Sequence, residues 1–164
     1  MDLRLITAIL AGKIIAKVTK LIGGGATAAP GLYALKIDPN LVKKLTKNLN
    51  ENSIVVSGTN GKTTTARMLA HFAKASGLRV IRNHTGSNLE RGIASTLISH
   101  YSLYPIPHTL PNLGIWELDE AAFNAVAPKL KPDIIVFLNV FRDQLDRFGE
   151  IDSLVRNWCQ TLKR

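Results

Sequence analysis

The chain has 164 residues, 46% of them hydrophobic, which suits one domain of ordinary size with a buried core. Its single cysteine, Cys159, excludes a disulfide framework or a cysteine-built zinc site within these residues and fits a reducing, cytoplasmic setting. The formal charge of +9 is uneven: residues 1–50 carry eight Lys/Arg against two acids, and residues 51–164 carry thirteen against ten. A basic region of this kind suits an anionic membrane surface or nucleic acid. Its lysine clusters have no interleaved aromatics on which bases would stack, so nucleic acid is set aside. The four histidines (His71, His84, His100, His108) show no ligand spacing and read as ordinary side chains.

Residues 3–22, rich in Leu, Ile, Ala and Val, read as a helix on which Lys13, Lys17 and Lys20 form one stripe. The uncharged run 5–12 is too short to span a bilayer. The lysines between it and Ala26-Thr27-Ala28 argue against a cleaved export signal. The stripe fits two readings equally: a helix on the membrane face, or a helix packed on its own domain or a partner. Residues 23–31, with three consecutive glycines and Pro30-Gly31, read as a linker, and Asp38-Pro39 opens a second helical pattern over 40–49. A first unit, 1–51, therefore precedes a second, 52–164.

From Asn52 strands and helices alternate. Strands are expected at 54–57, 78–81, 113–118 and 134–138, and helices at 62–76, 88–100, 120–127 and 151–162, with a proline-rich loop over 101–111. This alternation predicts an α/β fold, a parallel sheet flanked by helices on both faces, with its site at the carboxyl ends of the strands.

The most informative stretch lies past the first of these strands. Gly58-Thr59-Asn60-Gly61-Lys62-Thr63-Thr64 follows the β-branched run Ile54-Val55-Val56 and opens a helix. Strand, glycine turn, Lys-Thr and helix make a phosphate-binding loop: the glycines let backbone N–H groups close on phosphate oxygens, and the helix N-terminus adds positive potential. Lys62 is placed to reach terminal phosphates and Thr63 to ligate Mg²⁺. The common Walker spacing is absent, since Val56 stands where its first glycine belongs. A chance Gly-Lys-Thr is the alternative, and the correct strand and helix on either side weigh against it.

Three further segments follow strand ends. Thr85-Gly86-Ser87-Asn88 opens a helix after the second strand. Glu117 ends the third strand beside Asp119 and Glu120, and a carboxylate opposite a phosphate loop commonly holds Mg²⁺. Asp119 and Glu120 suit better the simple role of negative charge at a helix N-terminus. The run from Asn139 through Arg142-Asp143-Gln144-Leu145-Asp146-Arg147 to Glu150 packs charge beyond an apolar strand, either as a functional loop or as an ordinary salt-bridged turn.

Together these segments resemble the Mur ligase family, ATP-dependent ligases that activate a carboxylate as an acyl phosphate and transfer it to an amine. The resemblance implies a P-loop-like central domain, incomplete here, with ATP and Mg²⁺ as cofactors. Thr59, Asn60, Gly61, Lys62, Thr63 and Thr64 match the nucleotide loop; Asn88 and Asn139 match asparagines that approach the nucleotide; Glu117 matches a magnesium-binding glutamate. Lys62 and Glu117 would be the catalytic pair, and Thr63 and Glu117 the metal pair. Gln144 departs from the pattern, standing where a histidine usually helps hold a second magnesium, which puts that second site in doubt.

The Arg142–Glu150 run, the Asp119-Glu120 pair and Arg91-Gly92-Ile93-Ala94 resemble one branch, the MurT ligase subunits of lipid II isoglutaminyl synthase. That branch implies a GatD-like glutaminase partner, lipid II as substrate, and amidation of the D-glutamate α-carboxylate to D-isoglutamine. It also implies a longer protein, with a zinc ribbon and a C-terminal ligase domain beyond Arg164. Another glutamyl or muramyl ligase, or a non-catalytic ATP-binding module, are the competing readings.

Overall fold

In the computed structural model, residues 2–23, 28–47, 52–83, 88–101, 111–141 and 150–163 are described. Successive side chains along each strand point to opposite faces of the sheet, and both faces are packed, so this two-residue period organises the molecule. β1 (Ser53–Ser57), β2 (Val80–Arg82), β3 (Leu113–Leu118) and β4 (Ile134–Phe137) form one parallel sheet in the order β2-β3-β1-β4. Ile54, Val56, Val80, Leu113, Ile115 and Val136 point to one face, where Ala66 and Ala70 of α4 (Lys62–Ala75) cover them. Val55, Ile81, Trp116, Leu118, Ile135 and Phe137 point to the other. With both faces buried, each strand reads in sequence as a continuous apolar run.

The second face is covered by helices from both ends of the chain. α5 (Glu90–His100), α6 (Glu120–Leu130) and α7 (Glu150–Leu162) pack there with α1 (Leu3–Leu21), α2 (Ala29–Ile37) and α3 (Leu41–Thr46). Phe137 stacks on Trp158 of α7 at 4.4 Å between ring centroids, and Phe123 of α6 lies 5.0 and 5.4 Å from the two. This cluster clamps the closing helix to the sheet.

α1 starts at Asp2, whose carboxylate accepts the Leu5 N–H at 3.1 Å as an N-cap. Its Ala8, Ile9 and Gly12 are buried, and a Cβ at Gly12 would stand 2.8 Å from Ile98 of α5. The opposite side carries exposed Leu3, Leu10, Ile14, Val18 and Leu21. Lys44 ties the N-terminal helices together, its ammonium 2.6 Å from both Asp2 and buried Asp38. That ammonium holds the Asp2 carboxyl below its ordinary value, and hydrogen bonds to Asp2 and then Asp38 raise the lysine's own pKa.

Several elements differ from the sequence reading. Part of the expected linker is helical: α2 begins at Ala29, with Pro30 at an early position that needs no N–H. Gly31, which reads as a linker residue, is required inside this helix by a close crossing. A Cβ there would fall 1.9 Å from the Arg91 carbonyl oxygen and 2.6 Å from the Ser95 nitrogen of α5. The Gly31 N–H, unsatisfied within the first turn, donates to Ser95 Oγ at 2.8 Å. The pattern expected at 40–49 forms α3 only over Leu41–Thr46, its remaining residues lying partly outside the described ones. β2 lies two residues later at its start and one later at its end than expected. α6 runs past Pro128 and stops at Lys131, whose left-handed φ of 48° turns the chain out of the helix.

Candidate nucleotide-binding site

β1 is central, flanked by β3 and β4, so the loop that leaves its carboxyl end emerges between the ends of both neighbours. Gly58 (φ 137°) and Gly61 (φ 86°) make the turn in conformations that side chains avoid. A Cβ at Gly58 would also stand 2.9 Å from the Asn139 carbonyl oxygen. The loop is braced from β4's side: Thr59 N–H donates to the Asn139 carbonyl (2.8 Å), Asn60 N–H to Asn139 Oδ1 (3.0 Å), and Phe141 N–H to Thr59 Oγ1 (3.0 Å).

α4 begins at Gly61 with no side-chain cap, and its first intrahelical bond from Thr65 N–H to the Gly61 carbonyl (2.9 Å) leaves the amides of Lys62, Thr63 and Thr64 at an open helix N-terminus. Such a terminus attracts anions through its amides and its dipole. The Lys62 side chain folds back over the loop, donating to the Gly58 (2.5 Å) and Thr59 (3.1 Å) carbonyls. Asp119 and Glu120 stand 3.8 and 3.7 Å from its ammonium. Both acids, which sequence alone assigns to the first turn of α6, thus also face the loop lysine.

Glu117 lies on the α4 face because it shares the parity of Leu113 and Ile115 on β3. It is fully buried. Its Oε2 accepts the Thr63 hydroxyl at 2.7 Å, and Arg82 lies 3.2 Å from its Oε1. Asn83 holds the strand beneath it on both sides, its Oδ1 accepting the Glu117 N–H at 2.8 Å and its Nδ2 donating to the Glu117 carbonyl at 2.9 Å. Ser57 Oγ donates to the Leu118 carbonyl at 3.0 Å, locking β1 to β3 at the same level.

The structure therefore brings Thr59, Asn60, Gly61, Lys62, Thr63, Thr64, Glu117 and Asn139 to one end of the sheet. Asn88 joins them through its backbone, its carbonyl accepting the Asp119 N–H at 3.0 Å. Its side-chain Oδ1 is buried without a hydrogen-bond partner among the described residues. Asn139 supports the loop through its Oδ1, which accepts the Asn60 N–H. Thr85–Ser87 and the run 142–149, including Asp143, Gln144 and Asp146, lie outside the described residues. Arg82 and Asn83 were missed. The expected strand ends at Ile81, one residue short of the observed β2, so nothing local in the sequence marks the two polar residues that follow.

No group of three or more His, Cys, Asp or Glu side chains is placed to hold a metal among the described residues. Mg²⁺ needs fewer: it binds through one or two protein oxygens and completes its shell with water and phosphate. The Thr63 hydroxyl and Glu117 carboxylate, already within hydrogen-bond reach of each other, are a hard-oxygen pair of that kind. Arg82 is a competing cation on the same carboxylate.

Residues 56–162 match the model of the Mur ligase middle domain, a span that includes every element from the phosphate loop to α7. The chain belongs to the Mur ligase family. It is 37% identical, over 95% of its length, to the MurT subunit of the glutamine-hydrolysing lipid II isoglutaminyl synthase of Staphylococcus aureus. It is 36% identical over 92% of its length to the MurT subunit of Streptococcus pneumoniae. It spans about a third of those relatives' length, 34% and 32%. Among solved structures, MurF of Thermotoga maritima in complex with ADP matches 79% of the chain, and 29% of its own, with a TM-score of 0.63 at 20% identity, which speaks for the fold alone.

Proposed function

We propose that this chain is the nucleotide-binding part of a MurT-type ligase, one that uses ATP to amidate the D-glutamate of lipid II in peptidoglycan synthesis. The observation that carries the reading is the contact between Thr63 at the open N-terminus of α4 and buried Glu117 at the end of β3. It is what a Mg²⁺-nucleotide site needs: amides and a lysine for phosphate, and a hydroxyl with a carboxylate for the metal. The similarity to two MurT subunits over nearly the whole chain supports the choice of substrate.

In this reading the D-glutamate α-carboxylate attacks the γ-phosphorus of ATP, ADP leaves, and an acyl phosphate forms. Ammonia, released from glutamine by a GatD-like glutaminase subunit, then attacks the acyl carbon and displaces phosphate, leaving D-isoglutamine. Lys62 swings from the Gly58 and Thr59 carbonyls to the transferring phosphoryl group, where its charge offsets the charge that builds on the equatorial oxygens. Asp119 and Glu120 steady the lysine on its way. Thr63 and Glu117 would hold Mg²⁺, which when bound would supply charge neutralisation for the phosphates. Asn139 keeps the loop in shape from below, and Asn88 offers its buried Oδ1 towards the nucleotide. Residues 52–164 are the unit that carries this chemistry. The acceptor site and the glutaminase interface belong to the remainder of a longer protein, as does any zinc site.

The test is the full-length protein co-expressed with a GatD-like glutaminase and given ATP, Mg²⁺, glutamine and lipid II. A mass spectrum showing the glutamate carboxyl converted to carboxamide, lost in Lys62→Ala, supports the reading. ATP turnover without amidation, but with an added amino acid coupled instead, would sink it in favour of an amino-acid-adding ligase.

A further inference from the structure

One surface of the molecule has no role in the ATP site. On α1, Leu3, Leu10, Ile14, Val18 and Leu21 recur at spacings of three, four and seven, and so share one side of the helix. That side points away from buried Ala8, Ile9 and Gly12. Leu3 is 74% exposed, Ile14 62% and Leu21 86%, and Ile22 just beyond is 78% exposed. Over 19 residues this makes an apolar ridge about 28 Å long. The body of this domain covers the side of α1 that carries Ala8, Ile9 and Gly12 and leaves this second apolar side open.

Lys13, Lys17 and Lys20 line one edge of the ridge. Lys13 is anchored, its ammonium donating to the Tyr101 carbonyl at 2.6 Å. Lys17 and Lys20 are exposed, with no carboxylate partner among the described residues. The two acids of the N-terminal helices, Asp2 and Asp38, are both taken up by Lys44. The ridge is therefore apolar in its middle and purely cationic along that edge. A second copy docked ridge to ridge and antiparallel would bring the two lysine edges together, which such an interface disfavours. No described helix is long and apolar enough to cross a membrane.

We infer that the outer face of α1 lies in the interface of an anionic phospholipid bilayer, with Leu3, Leu10, Ile14, Val18 and Leu21 among the acyl chains and Lys17 and Lys20 at the headgroups. An interfacial helix needs this combination of an apolar side, a lysine edge and too little apolar length to insert. Both readings of residues 3–22 that the sequence allowed then hold at once, on opposite sides of one helix. The inference rests on α1 and not on the amidation chemistry.

The test is flotation of the full-length protein with phosphatidylcholine vesicles, with and without phosphatidylglycerol. Binding is expected only with the anionic lipid and should weaken as salt is raised. Lys17→Ser or Lys20→Ser should each weaken it about fivefold, the share of one lysine near an anionic surface. The double variant Ile14→Glu with Val18→Glu should abolish it. These positions are exposed, so the melting temperature and ATP binding should stay as in the parent, which guards against an unfolded variant. Absence of binding in the parent protein overturns the inference. So does binding that ignores the Glu variant or phosphatidylglycerol, and so does a Glu variant that loses a co-purifying protein or changes oligomeric mass instead of losing vesicles. Failure of amidation with intact flotation would count only against the proposed function.

Discussion

The two faces of the sheet are unequal. The face under α4 is thin: one helix covers it, and its buried apolar residues among those described are Val56, Ala66, Ala70, Leu113 and Ile115. The opposite face is thick, joining six helices from residues 3 to 162 around Trp116, Phe123 and Trp158. The proposed chemistry sits on the thin face, where Thr63 and Arg82 meet at Glu117 and Lys62 lies over the adjoining loop. The difference shows a division of labour. Polar groups that must reach a ligand gather at the end of a lightly covered face, while most of the apolar burial that stabilises the domain lies behind it.

Breaking each face separately sharpens that contrast. The largest effect is expected from Phe123→Ala on the thick face, which removes a ring packed against Phe137 and Trp158. It should cost about 3–5 kcal/mol of stability in a denaturant titration, a value typical of a buried Phe→Ala change. Lys62→Ala on the thin face should do the reverse. It should lower ATP turnover of the full-length protein at least about a hundredfold, with an unchanged unfolding midpoint. If the two variants lost stability equally, the division would not stand.

Gly31→Ala tests the thick face at its tightest crossing. The added methyl meets the α5 backbone, so α2 must shift at about 1–3 kcal/mol, and the deficit should appear in thermal melts without a change in nucleotide affinity. Glu117→Gln keeps the shape of the thin face but removes the charge that faces Thr63 and Arg82. It should raise the Mg²⁺ concentration needed for half-maximal turnover, and chelation by EDTA should abolish turnover in parent and variant alike.

The smallest effect concerns Asp2 and Lys44 at the N-terminal helices. Asp2's pKa is lowered by Lys44, so its ion pair stabilises the fold above the ordinary carboxylate range. That contribution is lost as pH falls through the lowered value. Lys44's pKa is raised, so its share persists below the ordinary lysine value and fades as pH rises through the raised one. Asp2→Asn should therefore lower the melting temperature slightly at neutral pH and not at all in strong acid. A deficit independent of pH would assign the effect to the N-cap alone.

The phosphate loop was legible because all its information is local. A strand end, two glycines at left-handed or extended positive φ, and Lys-Thr opening a helix are contiguous from 53 to 64. Glu117 was legible as an acid at a strand end. Arg82 and Asn83 were not, because their importance depends on β2 lying beside β3, and nothing near them in the chain announces that pairing. α2 was hidden for a different reason. Gly and Pro signal a break locally, and only the crossing with α5 turns Gly31 from a helix breaker into the one residue that fits.

By itself the sequence determined the kinds of element, their approximate order and the chemistry of the loop, since propensity, turn residues and helix starts act over a few neighbouring residues. The tertiary structure alone decided the strand order β2-β3-β1-β4 and, with it, the site. That order sets Glu117 against Thr63, 54 residues away, and Asn139 under Asn60, 79 residues away. Strands buried on both faces look alike in sequence, so neither their neighbours nor the faces of their side chains can be read until the sheet is assembled.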